Sequence, residues 1–457
     1  MVQTLLVGLD IGTTAVKAAV VADDGREIAH GRAATPWYAT PLGTELDPQA
    51  LLGAVWDAAG EALAAVPDGR VVGVGVTSMG EAGVLVDGSG DPVAPVIAWH
   101  DTRDGAETEQ LGQDLGTLFS SRTGLPLRTQ WSLTKHRWQV RNLVGAQKAV
   151  RRFNIAEWVV RALTGVEASD RSLASRTGWL DLWTGQWWDE AVEWSMLRPT
   201  LLPPLMASGQ AVGVVSAPEA PPRLRGATVT MVGHDHQAAA VGAGVREAGD
   251  ELDSCGSAEA LVRAVPVPLA QAAVSELAAA GITVGWHVLP DRWCLLGATQ
   301  GGLLMRRVLD LLGCAWEDLS TMDAAASAFE PTGIAVSDSI AGRVDITGIG
   351  DHASPGQLWR ATVTAATEQA AALHRTMSRI SGPHGRIIVT GGWSHSTAFI
   401  GAKQRQLGPL HRPAVAEAGA RGAALVGGVA AGIYPGMTEL PAPAEVHDEH
   451  VAPLSIR

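Results

Sequence analysis

The sequence predicts an α/β protein built as two related domains facing a cleft. Three observations carry that expectation. Asp10-Ile11-Gly12-Thr13-Thr14 and Glu251-Leu252-Asp253-Ser254-Cys255-Gly256-Ser257 each place a glycine and hydroxyls between two apolar, strand-like runs, once in each half of the chain. Between them, Val232-Gly233-His234-Asp235 follows the apolar run Thr228 to Met231 and precedes the small-residue run Ala238 to Gly244, so it reads as strand, tight turn and helix start. Gly391-Gly392 makes a similar transition late in the chain, after the strand-like Arg386 to Thr390.

In chain order, Leu5 to Leu9 reads as a buried strand and Val16 to Val21 as the returning strand of a hairpin. The turn between them offers backbone N–H groups and the Thr13 and Thr14 hydroxyls to a phosphate; Asp10 suits a magnesium ion and Lys17 a phosphate charge. A plain glycine hairpin turn is the alternative. Asp47-Pro48, followed by Leu51, Leu52, Val55, Trp56, Ala59 and Leu63, has a cap, a proline at the first helical position and helical apolar spacing. Val71 to Val76 fits a buried strand ending at Thr77 to Glu81. Val84 to Val86 and Val96 to Trp99 read as strands, the second leading into His100-Asp101-Thr102-Arg103. Glu81, Asp101 and Arg103 thus fall at strand ends, where surface ion pairs are the default role.

From Asp104 to about Gly165 the pattern is helical and arginine-rich, broken at Thr123-Gly124-Leu125-Pro126 and resumed at Gln130 to Lys135. Trp158, Trp179, Trp183, Trp187, Trp188 and Trp194 follow, a density that fits core or subunit packing better than sugar stacking. Leu201 to Arg225, rich in proline and alanine, reads as a surface connection to the strand before Asp235. At that strand's carboxyl end Asp235 lies where open α/β sheets bind ligands, or else caps the following helix. In the second half Trp293 to Leu296 is strand-like, Gly297 to Gly302 opens a helix, and Leu358 to Ile380 is one long helix. Ala420 to Gly432 is nearly all Ala, Gly and Val, the composition of a helix pressed against another backbone.

The length of 457 residues implies at least two domains, and 46 % hydrophobic with 18 % charged residues is an ordinary globular composition. A net charge of −13 without a basic stripe argues against nucleic acid and for a small-molecule ligand. Cys255, Cys294 and Cys314 lack metal-site spacing and read as thiols of a reducing cytoplasm. No run of about 18 apolar residues is present to span a bilayer, and the first residues are not those of a signal peptide. The expectation is a cytoplasmic protein with no membrane contact.

Taken in order, these turns resemble the FGGY family of carbohydrate kinases, within the larger actin-like (ribonuclease H-like) ATPase fold. Asp10 to Thr14 is similar to the family's first phosphate motif and Trp99-His100-Asp101-Thr102-Arg103 to its W-x-D-x-R. Gly233-His234-Asp235 is similar to its G-x-D turn, Gly256-Ser257 to its Gly-Thr turn, and Gly391-Gly392 with Ser396 to its late adenosine segment. The resemblance spans nearly the whole chain. It implies two actin-like ATPase domains flanking a central cleft: residues 1–245 binding sugar and carrying the catalytic base, residues 246–457 binding mainly nucleotide. The implied activity is transfer of the γ-phosphate of ATP, with Mg2+, to a hydroxyl of a ketose or polyol, a pentulose such as xylulose being favoured. Asp235 would be the base and, with Asp10, would place the metal. Gly12, Thr13, Thr14, Lys17, Gly256, Ser257, Gly301, Gly391, Gly392 and Ser396 would contact the nucleotide.

Gly80, Glu81, Asp101, Gln130, Asp235 and His236 would contact the substrate. Glycerol kinases of the family carry an Arg-Glu pair where this chain has Gly80-Glu81, and a tyrosine where it has Gln130. Those departures favour a longer polyol or ketose. Family members are often homodimers, with which the tryptophan-rich stretch is compatible. The competing reading is a catalytically weak or regulatory protein of the same fold that binds sugar or nucleotide. An ATPase with water as acceptor is a further one.

Overall fold

The computed structural model describes residues 3–66, 68–329, 333–338 and 343–445; the outer bounds of the two expected domains, residues 1 and 457, lie outside them. Thr4–Ile11 (β1), Ala15–Ala22 (β2) and Glu27–Ala34 (β3) form an antiparallel meander. Helix Pro48–Ala64 (α1) crosses over to Arg70–Ser78 (β4), which lies parallel to β1. Its start is set by Asp47, whose carboxylate accepts the Gln49 N–H at 2.8 Å, and by Pro48, whose missing N–H is no loss in a first turn. Ala211–Val214 (β5) and Thr228–His234 (β6) complete a six-stranded sheet of order β5-β6-β4-β1-β2-β3.

Two expectations change here. The stretch from 201 to 225 is more than a surface connection, because β5 pairs antiparallel to β6 and forms the sheet edge. Its exposed position tolerates the proline and glycine that hid it. The helical stretch after Asp104, which includes Ser132–Asn142 (α2), is interrupted by a strand, Arg151–Asn154, paired with Gly83–Val86. Arginines occupy its first two positions, so it carries no apolar alternation. Arg152 is nevertheless buried, its Nη2 donating to Ser132 Oγ at 2.7 Å. Of the six tryptophans, Trp158, Trp179 and Trp188 are buried in the core and Trp183, Trp187 and Trp194 pack half-buried against it.

Asp235–Ala243 (α3) links the halves. The second sheet contains Glu251–Cys255 (β7), Glu259–Pro266 (β8), Thr283–Trp286 (β9), Arg292–Thr299 (β10), Ile387–Thr390 (β11) and Leu410–His411 (β12). Its order, β9-β10-β8-β7-β11-β12, repeats the first plan. In each sheet a hairpin is followed by a third antiparallel strand on one side and flanked by a parallel strand on the other. Gly301–Leu311 (α4), the long Pro355–Ser381 (α5), Thr397–Leu407 (α6) and Ala418–Ala430 (α7) follow the strands.

The two faces of the first sheet are covered by helices from opposite ends of the chain. Leu5, Val7 and Leu9 join the core beneath α1, while Leu6, on the other face, packs with α3 and α7. Helix α7 approaches so closely that a Cβ on Gly8 would collide with the Ala420 carbonyl, and one on Gly75 with that of Ala423. Gly242 of α3 and Gly422 of α7 likewise meet backbone to backbone.

Candidate active site

Strands β1, β4 and β6 are parallel, so their carboxyl ends bring Asp10, Gly80-Glu81 and His234-Asp235 to one sheet edge. Asp10 is buried beside the backbone of Gly419, at the start of α7. Its Oδ1 has no hydrogen-bond partner among the described residues. Burial pushes its pKa up to about 7, with the Asp235 charge adding and Lys17 opposing. Lys17, directly across the hairpin, shares its charge with Glu417 at 2.7 Å. Asp235 is the first residue of α3; among the described residues its carboxylate accepts the His236 N–H at 2.7 Å and lies 3.4 Å from His234 Nε2, with 21 % of its side chain exposed. His234, not Asp235, occupies the cap position, so capping does not use up the carboxylate. Burial tends to raise the Asp235 pKa, but His236, its N–H and Arg176 outweigh it and hold the group ionised. Two mutually repelling carboxylates with an orphaned oxygen fit a hard divalent cation of the magnesium type.

Glu81 sits beside this pair with φ 65°, a conformation rare for a residue with a side chain, and is buried. Its Oε1 accepts from Gln130 Nε2 at 3.2 Å and Arg176 Nε at 2.8 Å, and lies 2.6 Å from Arg176 Nη2. Arg176 also donates to Thr283 Oγ1 at 2.7 Å, which ties this edge to the second sheet. The absence of a side chain at Gly80 makes this possible, since a Cβ there would lie 3.3 Å from the Arg176 stem and 3.1 Å from the His234 ring. His236 stands next to His234, ring centroids 5.3 Å apart. Burial, with Arg176 and His236 adding to it against the pull of Asp235, lowers the His234 pKa to about 3 and leaves that ring neutral.

Asp101 does not offer a free carboxylate. It accepts from Thr44 N, Arg103 N, Arg103 Nε and Arg103 Nη2 at 2.8 to 3.0 Å, and Arg103 also holds Glu45. Trp99 of the same segment does reach the site, donating from Nε1 to Thr13 Oγ1 at 2.9 Å, while Trp37 Nε1 donates to the Thr13 carbonyl at 2.7 Å. Gly12 and Thr13 are half-buried and Thr14 is exposed at the hairpin tip.

At the corresponding edge of the second sheet, β7, β10 and β11 end in Gly256-Ser257, Thr299-Gln300-Gly301 and Gly391-Gly392. The amino end of α4 lies directly under the first of these, because a Cβ on Gly302 would strike the Gly256 carbonyl. An eleven-residue helix aimed at a glycine-hydroxyl turn suits phosphate oxygens. Gly391, at φ 90°, packs against the Cys255 backbone, and Gly392 lies beside the ring of the partly exposed Trp316. Ser396 is not at this surface. It is fully buried, its hydroxyl accepting the Phe399 N–H at 3.2 Å and donating to Asp323 at 3.0 Å. Beneath the turns, Lys403 is buried between Asp253 and Glu259, and Glu259 also accepts from Thr299 Oγ1 at 3.0 Å. Burial opposes the Lys403 charge, but the two carboxylates outweigh it and keep the ammonium protonated.

Arg176, Trp316 and Lys403 escape sequence reasoning. Each is a lone residue outside the motifs read from the sequence, and its partners are distant in sequence.

Residues 5–242 match the model of the FGGY family of carbohydrate kinases, N-terminal domain. A xylulose kinase from Streptomyces coelicolor is 29 % identical over 443 residues, which cover 92 % of this chain and 86 % of that protein. A glycerol kinase from Paenarthrobacter aurescens is 27 % identical over 465 residues, covering 96 % and 91 %. The solved Plasmodium falciparum glycerol kinase with ADP superposes with a TM-score of 0.86 at 17 % identity, over 98 % of this chain and 94 % of that one. The structural likeness shows the fold, two actin-like domains of mixed α/β architecture.

Proposed function

The chain belongs to the FGGY family of carbohydrate kinases, and from that membership we propose that it transfers the γ-phosphoryl group of ATP to a hydroxyl of a ketose or polyol, a pentulose such as xylulose being favoured. As a member of the family it is an enzyme, a sugar or polyol kinase. The single observation that carries the mechanism is the pairing of Asp10 and Asp235 at the ends of parallel strands, one Asp10 oxygen being buried and unpartnered.

In this reading Asp235 is the general base. It accepts the proton of the substrate hydroxyl as the new O–P bond forms and the bond to ADP breaks. A depressed pKa is no obstacle, because phosphoryl transfer passes through a loose transition state and positioning matters more than basicity. Magnesium, held by Asp10 and Asp235, would neutralise charge on the phosphate oxygens. The Gly12 to Thr14 turn and Ser257 hydrogen-bond the transferring group, and Lys17 contributes the part of its charge that Glu417 leaves. Residues 1–245 bind the sugar and residues 246–457 mainly the nucleotide, with Gly301, Gly391 and Gly392 letting it approach closely. Glu81, fixed by Arg176 and Gln130, accepts substrate hydroxyls, and His236 lines the same side. The replacement of glycerol-type Arg and Tyr by Gly80 and Gln130 supports a substrate with more hydroxyls than glycerol. Free thiols, with no helix among the described residues able to cross a membrane, agree with a cytoplasmic setting.

The test is ADP release from Mg·ATP across ketopentoses, ketohexoses, tetritols, pentitols, aldonates and glycerol, with Asp235→Asn beside the wild type. One substrate should stand out, and the variant should lose about a thousandfold in kcat with little change in KM for ATP. Equal rates in the two proteins would remove Asp235 from the mechanism.

A further inference from the structure

A cavity of about 340 Å³ is lined by none of the residues assigned above to sugar, nucleotide or metal. Its walls come from both halves of the chain: Arg171, Ser208 and Gln210 on one side, Trp286 and His287 on another, and Met437 after α7. It is largely apolar, with a few polar groups converging on it, the usual make-up of a small-molecule site.

Two of those groups have unused donors. His287 is 6 % exposed, and its Nδ1 accepts the Leu289 N–H at 2.9 Å. The ring proton therefore sits on Nε2, which has no partner among the described residues. Burial, with Arg292 nearby, lowers the His287 pKa to about 3, so the ring is a neutral donor. The Arg171 Nε is also buried without a partner, and its guanidinium lies over the Trp286 ring at 5.8 Å. A buried donor is costly to leave unpaired, so a small turn of either side chain toward an acceptor in the cavity is favoured.

The walls are tied to the Asp235 turn from two sides. Ser208 Oγ donates to Asp170, Asp170 accepts from Ser172 Oγ at 2.7 Å, and Ser172 Oγ accepts the His234 N–H at 3.0 Å. From the other side, Gln237 of α3 donates to the Trp286 carbonyl at 3.2 Å and accepts the Val288 N–H at 2.9 Å.

We propose that this cavity is a second ligand site, which takes a small organic anion with an apolar body, its charge on Arg171 and His287 and its body against Trp286 and Met437. Occupancy stiffens the hydrogen-bonded walls and is coupled to the Asp235 turn; the coupling, unlike the binding, rests on the kinase reading above.

Phenyl phosphate, benzoate and inorganic phosphate serve as probes, each titrated calorimetrically into the full chain saturated with Mg·ADP. At least one aryl anion should bind once per chain, and which of the two does so separates a phosphate ester from a carboxylate. Inorganic phosphate, lacking the apolar body, should bind more weakly. Arg171→Met should weaken binding by about tenfold or more, and Arg171→Lys should recover part of it. His287→Leu provides a second, uncharged probe of the same site and should also weaken binding. Failure of both aryl anions to bind, or equal affinity in Arg171→Met, overturns the site. Turnover in the presence of the bound aryl anion should change at least about twofold in the wild type and not in Arg171→Met. Binding without that change overturns the coupling and leaves the site standing.

Discussion

Glu81 holds a strained φ of 65° in order to face Arg176 and Gln130, and strain kept at a buried polar cluster is usual where a ligand is gripped. Glu81→Ala should raise KM for the true substrate by about tenfold or more, since hydrogen bonds to a charged acceptor are lost. It should also lower the melting temperature, because Arg176 would be left buried without its partner. Glu81→Gln keeps the shape and should retain more stability than Ala while still losing substrate affinity. Steady-state kinetics and thermal melts on both variants check this, and an unchanged KM in Glu81→Ala would take the residue out of the substrate site. The acid was legible in the sequence because it ends an apolar strand. Its partner was not, since Arg176 lies 95 residues away and no local pattern marks it. Ser396 shows the opposite error. A serine just before an apolar helix is a good cap, and the structure uses it so, whereas the late-segment resemblance pointed to adenosine.

At the scale of elements, the Ala/Gly/Val composition of α7 was a faithful guide. Small residues were needed because β1, β4 and α3 press on it at backbone distance. Gly8→Ala would drive a methyl into the Ala420 carbonyl, so it should destabilise by about 1–3 kcal/mol or more, seen as a lower midpoint in urea unfolding. A midpoint equal to the wild type would mean that α7 can retreat from β1 freely. The hairpins and strand-to-helix turns were legible for a related reason, since a glycine or proline punctuates each one. Arg151–Asn154 and β5 were not. One has arginines where apolar residues would mark a strand, and the other is an exposed edge whose pairing depends on a strand that comes after it.

Across the whole molecule, the repeated strand plan was visible from two hairpins, but the ties between the halves were not. Arg176 to Thr283 and Gln237 to the 286–288 segment are side-chain contacts over long separations, which no periodicity encodes. Ionic pairing of the second half also sets its acid response. Burial would raise the Glu251 pKa, but His374 and Arg263 outweigh it and hold the group low; Arg386 does the same for Asp250 against the same burial effect. A carboxylate with a depressed folded-state pKa binds fewer protons when folded than when unfolded. Its stabilisation is complete above the unfolded value and is lost as pH falls through the folded one. Melting temperature should therefore drop between about pH 5 and 3, and Glu251→Gln, less stable at neutral pH, should show a shallower drop. Parallel curves would assign the acid sensitivity to other groups. The position of α7 carries a last consequence. The sheet that contains β1 is covered on one face by a helix translated only after the whole second sheet. While the ribosome is still at work, that face has only α3 beside it, a bare surface of glycine and small side chains. Completion of the first half thus waits on α7, so a chain cut short before that helix is left with an open, sticky sheet for chaperones and proteases to find.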